Sequence, residues 1–535
     1  MTPDPSSRIT PCRGFFFYTV ARPIAFQYRT HMSASSLETI YLQSQTHLRD
    51  GIERLARAIK AESTCGALPP RALLVGGFVR DLFRGVCSSD ADIEIYGVPA
   101  DRLFAIVTTL FPENVHEVGR QFGILHVPLA AGCSIDIALP RRESKMYEGH
   151  KGFAIESDPF LPFAEAVRRR DFTINALLWD PLTAELIDLV GGEQDLQEKR
   201  LRVVDALHFP EDPLRVYRAV QFIARFGYTL ESQTEELLKK MVQAGELETL
   251  SAERVTEELK KLFLQSARPS IGFEWMKQLG IIARSYSELQ TMIDTPQEPE
   301  WHPEGDVWVH TMLCLDKAVE LIEADGTCTD EERLQILVGT LCHDLGKPPT
   351  TQRVEKNGVV RIRSLGHQEA GEAPTISLCE KWTFNASIIY AARMIALNHL
   401  RPGELFIKEQ KGEIAEEAYA NAIRKLLKRV FPLSWKVLLI AAEADYRGRT
   451  LPEVQTGPYT HGDRFRALIA HYNLDETART PLLYGRELME EFKLKPGKYL
   501  GELLHAVENM RDEGKIKTKQ EALTYIKELL AGGHS

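Results

Sequence analysis

The chain lacks several features that mark whole classes of protein. It has no stretch near the eighteen or so uninterrupted apolar residues that a membrane-crossing helix needs, and the aromatic patch from Phe15 to Tyr18 is soon followed by Arg22. No transmembrane segment and no membrane partner are expected. The eight cysteines (Cys12, Cys65, Cys87, Cys133, Cys314, Cys328, Cys342 and Cys379) include no CxxC pair. They read as reduced thiols of a cytoplasmic protein rather than a disulfide framework or zinc site. Basic charge is in deficit too. A net charge of −10 is unlike that of a protein living mainly on nucleic acid, where phosphate neutralisation favours basic surfaces, so any RNA contact must be local. The basic clusters Arg168-Arg169-Arg170 and Arg424 to Arg429, taken alone, read as solvated helix faces.

The composition is otherwise that of a globular protein, 44% hydrophobic and 26% charged, and 535 residues are enough for several domains and a large core. Residues 1 to 31 hold four arginines, four prolines and one acid, Asp4, with no helical period, and are expected to be disordered. Met32 precedes a helical pattern and is the expected start of translation, with a transit peptide as the other reading.

Helical spacing runs from Leu37 to Ala61, Pro69-Pro70 breaks it, and Ala72 to Val75 reads as a buried strand. Asp90 to Tyr96, Ile124 to Leu129 and Ser134 to Leu139 are further strands. After about Asp195 amphipathic helices dominate, with no fixed-period repeat. The expected fold class is α+β: a small head with a mixed β-sheet, followed by a long all-α neck, body and tail. The expected divisions are an extension over 1–36, a head over 37–195, a neck over 196–270, a body over 271–455 and a tail over 456–535.

In Asp90-Ala91-Asp92-Ile93-Glu94-Ile95 the strand period of two puts the three acids on one face and the isoleucines on the other. Asp90 and Asp92 then stand about 7 Å apart, a separation at which two carboxylates can share divalent ions bridging a nucleotide's phosphates. Asp136, between Ile135 and Ile137, offers a third carboxylate if its strand is a neighbour. A lone DxD is weak evidence. It is strengthened by Gly76-Gly77-Phe78-Val79-Arg80-Asp81, which follows a strand and opens a helix, where glycine lets backbone N–H groups approach phosphate.

GGFVRDLFRG at Gly76 to Gly85 followed by DAD resembles the signature of the nucleotidyltransferase superfamily, specifically the class II tRNA nucleotidyltransferases and their poly(A) polymerase relatives. RRDFTINA (Arg169 to Ala176), DLVGG (Asp188 to Gly192), EDPLRVYRA (Glu211 to Ala219) and ERVTEELKKLF (Glu253 to Phe263) follow in the family's order, with Phe83 where leucine is usual. The resemblance implies that Asp90 and Asp92 bind Mg²⁺, and that Gly76, Gly77, Arg80, Arg170, Asp171 and Asn175 hold the triphosphate and ribose. It implies too that Asp212 and Arg215, with Arg218, select CTP and ATP by imitating a templating base. Bottom-up, Asp212 and Arg215 stand three apart, the spacing of neighbours on one helix face, whose usual fate is a surface ion pair.

A second constellation is His310, His343-Asp344, His367, His399 and Asp445. With 15 histidines in the chain, most are structural, but a tandem His-Asp between apolar residues is costly to bury without a partner. GDVWVHTMLCLDKA, TLCHDLGKP, GHQEAG and EADYRGR resemble the HD phosphohydrolase module of one branch of bacterial CCA-adding enzymes. That implies His310, His343, Asp344 and Asp445 as ligands of a transition metal such as Ni²⁺, Mn²⁺ or Co²⁺. His367 and His399 would hold a second ion or substrate phosphate, and the substrates would be 2′-phosphates or 2′,3′-cyclic phosphates.

The stretch from Leu483 to Leu523 resembles the family's tail, which implies tRNA as partner; a monomer or homodimer is expected. Two alternatives remain: a poly(A) polymerase or partial CC- or A-adding enzyme, and an HD phosphohydrolase whose head is a regulatory nucleotide binder.

Overall fold

A computed structural model describes residues 34–64, 66, 68–112, 114–118, 124–145, 153–356, 358–475, 481–512 and 514–532. The stretch 1–33 lies outside the described residues, and the first helix begins at Ala34, inside the extension drawn to residue 36.

The helical pattern of Leu37 to Ala61 folds as two helices, α1 (Ala34–Leu42) and α2 (Thr46–Lys60). The apolar stripe of α2, Leu48, Ile52, Leu55, Ala56 and Ile59, is buried in the head's core. There follow β1 (Arg71–Val75), α3 (Gly76–Phe83), β2 (Asp90–Tyr96), α4 (Ala100–Leu110), β3 (His116–Val118), β4 (Ile124–Pro128), β5 (Ser134–Ala138), the hairpin β6 (Arg141–Lys145) and β7 (Phe153–Ser157), α5 (Phe163–Arg168), β8 (Leu178–Trp179) and β9 (Leu186–Ile187). The seven-stranded sheet has the order β3-β4-β5-β2-β1-β8-β9. Within this sheet, among the described residues, β2 and β5 pair in parallel and the other ladders are antiparallel. The acidic strand β2 is central, and its buried residues Ala91, Ile93 and Ile95 anchor it from behind.

Helices dominate the remainder: α6 (Gly192–Gln197), α7 (Leu214–Phe226), α8 (Ser232–Ala244), α9 (Ala252–Gln265), α10 (Pro269–Gln278), α11 (Ile281–Ser285) and α12 (Ser287–Gln290), with the two-residue strands β10 (Arg200–Leu201) and β11 (Thr229–Leu230) between them. Then come α13 (Val307–Asp325), α14 (Asp330–Cys342), α15 (Lys347–Thr350), α16 (His367–Ala370), α17 (Glu372–Lys381), α18 (Ala386–Asn398), α19 (Arg401–Gln410), α20 (Glu416–Val430), α21 (Trp435–Gly448), α22 (Pro452–Thr456) and α23 (Thr460–His471). A hairpin, β12 (Thr351–Lys356) and β13 (Val359–Ser364), interrupts the helices after α15; its Val354, Val359 and Val360 are exposed, so it carries no buried apolar stripe.

One continuous apolar core runs from Leu37 to Leu474. Trp382 at the end of α17 is fully buried among Phe263, Phe273, Tyr286 and Phe384, tying α9 and α10 to the later helices. The last helices, Gly485–Phe492, Lys498–Asp512 and Lys519–Gly532, share a separate small core around Leu488, Leu503, Val507 and Ile526. Among the described residues no helix is long and apolar enough to cross a membrane.

Candidate functional site

Gly76 sits where β1 turns into α3, with φ +67, a left-handed conformation that glycine adopts without strain. A Cβ there would lie 3.4 Å from Asp92 Oδ2 and 3.5 Å from Arg170 Nη1, so the turn comes directly onto the acidic face of β2. Asp92 is paired in register with Asp136 of β5, which makes the two strands neighbours and brings the third carboxylate alongside. Burial pushes the Asp92 carboxyl up; Arg170 opposes this, while Asp136, Glu94 and Asp90 add to it. Like charges gathered at the rim of a sheet are what a divalent cation neutralises. Asp90 is exposed and accepts from Ser134 Oγ at 2.6 Å, and Asp136 Oδ1 lies 2.6 Å from His126 Nδ1.

The arginines read as triphosphate ligands are engaged within the protein. Arg170 donates to Glu94 Oε1 at 2.7 Å and to the Asn175 carbonyl at 3.2 Å. Arg80 is buried, donates to Asn175 Oδ1 at 2.8 Å and to Asp81, and lies over the ring of Phe226, 4.7 Å from its centroid. Asn175 in turn donates to Asp171 Oδ1 at 3.0 Å, and Arg218 donates to Asp171 Oδ2 at 2.7 Å. Burial alone would raise the Asp171 carboxyl, but Arg218, Asn175 and the Phe172 N–H outweigh it and hold it below its ordinary value. Arg80, Asn175, Asp171 and Arg218 thus form one buried network behind the acidic face.

Two readings from spacing are corrected. Asp212 and Arg215 do not share a helix face, because Pro213 precedes α7 and leaves Asp212 outside it, where it accepts from Leu214 N at 3.2 Å. Nor do they form an ion pair. Arg254 of α9 donates to both oxygens of Asp212, at 3.1 and 2.9 Å, while Arg215 donates to the carbonyls of His208, Phe209 and Arg169. The basic clusters are not plain solvated faces either. Arg169 and Arg170 pair with Glu211 and Glu94, and Arg424 is buried against Asp512 with Lys428 against Glu508, joining α20 to the final helices.

The second constellation is assembled in full. His343 caps the end of α14 and Asp344 follows it, His310 lies on α13, Asp445 on α21, His367 opens α16 and His399 caps the end of α18; all are buried. His310 Nε2 is 3.1 Å from Asp445 Oδ1, His343 Nε2 is 3.1 Å from Asp344 Oδ2, and His367 Nε2 is 3.5 Å from His399 Nε2. The outward nitrogens are all anchored: Nδ1 of His343 on the Thr340 carbonyl at 2.6 Å, of His367 on Ser364 at 2.8 Å, of His399 on Ala396 at 2.9 Å and of His310 on Glu304 at 2.8 Å. An Nδ1–H held in this way leaves the Nε2 lone pairs facing inward, as metal-ligating imidazoles require. Asp344 Oδ1 is buried with no hydrogen-bond partner, a cost that metal coordination removes. Burial opposes protonation of His343, but Asp344 and Asp445 outweigh it and push it up to about 10, while burial and His343 drive His399 down to about 3. A divalent ion would reconcile these opposed demands, and the residues present fit one. Glu304, His302, Cys314 and Lys347, whose ammonium is 2.7 Å from Asp344 Oδ2, belong to the same cluster and were not singled out by motif. The HxxxC spacing of His310 and Cys314 on one helix was the readable signal.

Comparison with known proteins defines the class first: residues 72–202 match the family described as Poly A polymerase head domain, and 227–293 match the probable RNA and SrmB-binding site of polymerase A. The Multifunctional CCA protein of Pasteurella multocida is 34% identical, over 70% of this chain and 84% of its own; that of Thioalkalivibrio sulfidiphilus is 31% identical, over 82% and 96%. The chain belongs to this family, the multifunctional CCA proteins, within the class II CCA-adding enzymes. Its fold is similar to the Bacillus stearothermophilus CCA-adding enzyme solved with CTP (TM-score 0.57, 19% identity, 90% of this chain and 97% of that one). It is also similar to the Thermotoga maritima CCA-adding enzyme solved with tRNA (TM-score 0.52, 19% identity, 92% and 98%).

Proposed function

We propose that the chain adds CMP and AMP, from CTP and ATP, to the 3′ end of tRNA, in the cytoplasm, and that its histidine cluster hydrolyses phosphate esters at RNA ends. The single observation carrying the first activity is the approach of Asp92, paired in register with Asp136 and two residues from Asp90 on the same strand, to the Gly76 turn. The same reading divides the chain into a head over 37–195, a neck over 196–270, a body over 271–455 and a tail over 456–535.

Asp90 and Asp92, with Asp136, would hold Mg²⁺, which when bound acidifies the attacking 3′-hydroxyl and neutralises the pyrophosphate leaving group. The Gly76-Gly77 turn presents backbone N–H groups to the triphosphate. Arg170 sets the position of the acidic face through Glu94, and the Arg80–Asn175–Asp171–Arg218 network holds the ribose side of the pocket rigid. Asp212 accepts from an exocyclic amine, a feature that cytosine and adenine share and that uracil and guanine do not present in the same pattern. Arg215 donates to the neighbouring ring nitrogen; both side chains exchange their present partners, Arg254 and the main-chain carbonyls, for the base.

At the second site His310, His343, Asp344 and Asp445 would hold a transition ion such as Ni²⁺, Mn²⁺ or Co²⁺, which when bound supplies a water nucleophile at neutral pH. A cavity of about 650 Å³ is lined by Gly366, next to His367, and by Arg393, Arg401 and Arg429, side chains suited to phosphate. Hydrolysis of 2′-phosphate or 2′,3′-cyclic phosphate fits this lining.

The test is incorporation of each labelled ribonucleoside triphosphate, singly and as CTP with ATP, into tRNA lacking its 3′ end, with the products sequenced. CCA addition with rejection of UTP and GTP is expected. A long A-tail on any RNA would replace the proposal with a poly(A) polymerase, and no incorporation would leave the histidine cluster as the main activity.

A further inference from the structure

The stretch EADYRGR, from Glu443 to Arg449, closes α21 and carries two arginines with different fates. Arg447 is spent on the fold: it donates to Glu443 Oε1 at 2.7 Å and to the carbonyls of Val454 and Gly457 at 3.3 and 3.2 Å. Arg449 is half-buried and, among the described residues, its side chain forms no ion pair and no hydrogen bond; its Nε is covered and has no acceptor. Leaving the donors of a charged group unpaired in a half-buried position is costly, and an acceptor arriving from outside offsets that cost. The side chain is not loose. Its Cζ stands 5.8 Å from the centroid of the Tyr446 ring, and Gln455 Nε2 donates to the carbonyls of Arg447 and Arg449 at 2.7 and 2.5 Å, pinning the main chain.

This fixed cation stands at the histidine cluster. Arg449 caps α21 four residues after Asp445, the spacing of neighbours on one helix face. The next amide, Thr450 N–H, donates to Glu304 Oε2 at 3.3 Å, and the other oxygen of that carboxylate anchors His310 Nδ1 at 2.8 Å. Burial raises the Asp445 carboxyl, but His310, His343 and Arg449 outweigh it and hold it low, so the field of the guanidinium reaches the cluster. Lys347, beside the cluster, is committed to Asp344 at 2.7 Å; in the 650 Å³ cavity Arg393 is committed to Glu372 and Arg401 to Glu404. That cavity is lined from α16, α18, α19 and α20, so Arg449, on α21, is a cation apart from it.

Resting on the reading of this cluster as a metal-dependent phosphohydrolase, we infer that Arg449 is a catalytic residue of that centre, the fork that grips the phosphate being hydrolysed. Two N–H groups on the outer edge of the guanidinium donate to two terminal oxygens of the ester phosphate, a bidentate contact that fixes phosphorus in front of the attacking water. The water oxygen bonds to phosphorus, the bond from phosphorus to the ribose oxygen breaks, and the proton given up by water passes to that leaving oxygen. Negative charge gathers on the terminal oxygens as water adds, and a guanidinium, protonated at any working pH, neutralises it without giving up a proton. The ligand class is a phosphate ester at an RNA end; inorganic phosphate, the product from a monoester, fills the same fork.

The test uses the full chain loaded with Ni²⁺. Binding of inorganic phosphate is read by calorimetry, metal content by elemental analysis, and hydrolysis with adenosine 2′-monophosphate as substrate. Arg449→Gln is expected to keep its metal, to bind phosphate at least about tenfold more weakly, and to lose about a hundredfold in kcat/KM, the scale of removing one charge-stabilising contact. Arg449→Lys keeps the charge but not the fork and should fall between the two, and it carries the test where the glutamine variant does not fold. Phosphate binding and hydrolysis equal to wild type in Arg449→Gln overturn the proposal. Loss of the metal from both variants overturns it too, because the arginine then supports the cluster rather than gripping substrate. A wild type that neither binds phosphate nor hydrolyses the ester overturns instead the phosphohydrolase reading on which the proposal rests.

Discussion

Gly76 is a residue whose backbone makes one demand. A Cβ at φ +67 adds about 1 to 2 kcal/mol of left-handed strain, and it would stand in ordinary contact with Asp92 and Arg170 without displacing them. Gly76→Ala should leave the chain folded yet lower incorporation at least about tenfold, if roughly 1.4 kcal/mol of that strain falls on the transition state, as measured with labelled CTP. Asp92→Ala removes the central carboxylate; a fall of about a thousandfold is expected, the rate equivalent of several kcal/mol of charge stabilisation, with tRNA binding retained in a filter assay. Asp171 provides a pH test. Its folded carboxyl is held below the ordinary value, so its contribution to stability is complete above about pH 4 and is lost as pH falls through the folded pKa. Asp171→Asn should melt lower than wild type at pH 7, and its Tm should change less between pH 5 and 3.

Elements set the second site through close helix contacts, one of them between α14 and α18. At Gly339 on α14 a Cβ would come 2.2 Å from Ile395 Cδ1 on α18, so these helices touch where a larger side chain would part them. They carry His343 and His399 at their ends. Gly339→Val should cost about 1 to 3 kcal/mol by overpacking and weaken metal binding, read by thermal melting and by cobalt titration. Nucleotide incorporation should survive where the protein remains folded. The helical spacing of His310, Cys314 and Ile388 to Ile395 was open to inspection in the chain, but which histidine faces which depended on how α13, α14, α18 and α21 cross.

At the scale of the whole molecule, the final helices have their own small core and meet the rest through polar contacts that include Arg424 with Asp512 and Lys428 with Glu508. Reversing both cations, Arg424→Glu with Lys428→Glu, places like charges together. The final helices should then be cleaved faster in limited proteolysis and tRNA should bind more weakly, while the Tm of the main core stays close to wild type. An unchanged cleavage pattern would show that apolar contacts hold this unit.

The sequence by itself determined the chemical inventory: the alternating acids of β2, the glycine turn before α3, the tandem His-Asp and the mixed head followed by helices. These are local, because strand alternation, turn conformation and ligand type are properties of a few consecutive residues. Tertiary structure alone decided the partners. Asp136 reached Asp92 because β2 and β5 are parallel neighbours, Asp212 was taken by Arg254 rather than Arg215, and Arg80 and Arg170 met Asn175 and Glu94. Cys314 joined the histidines because Gly448 leaves room for its sulfur. Such pairings join residues tens to more than a hundred positions apart, and register and helix crossing, not local propensity, choose among them.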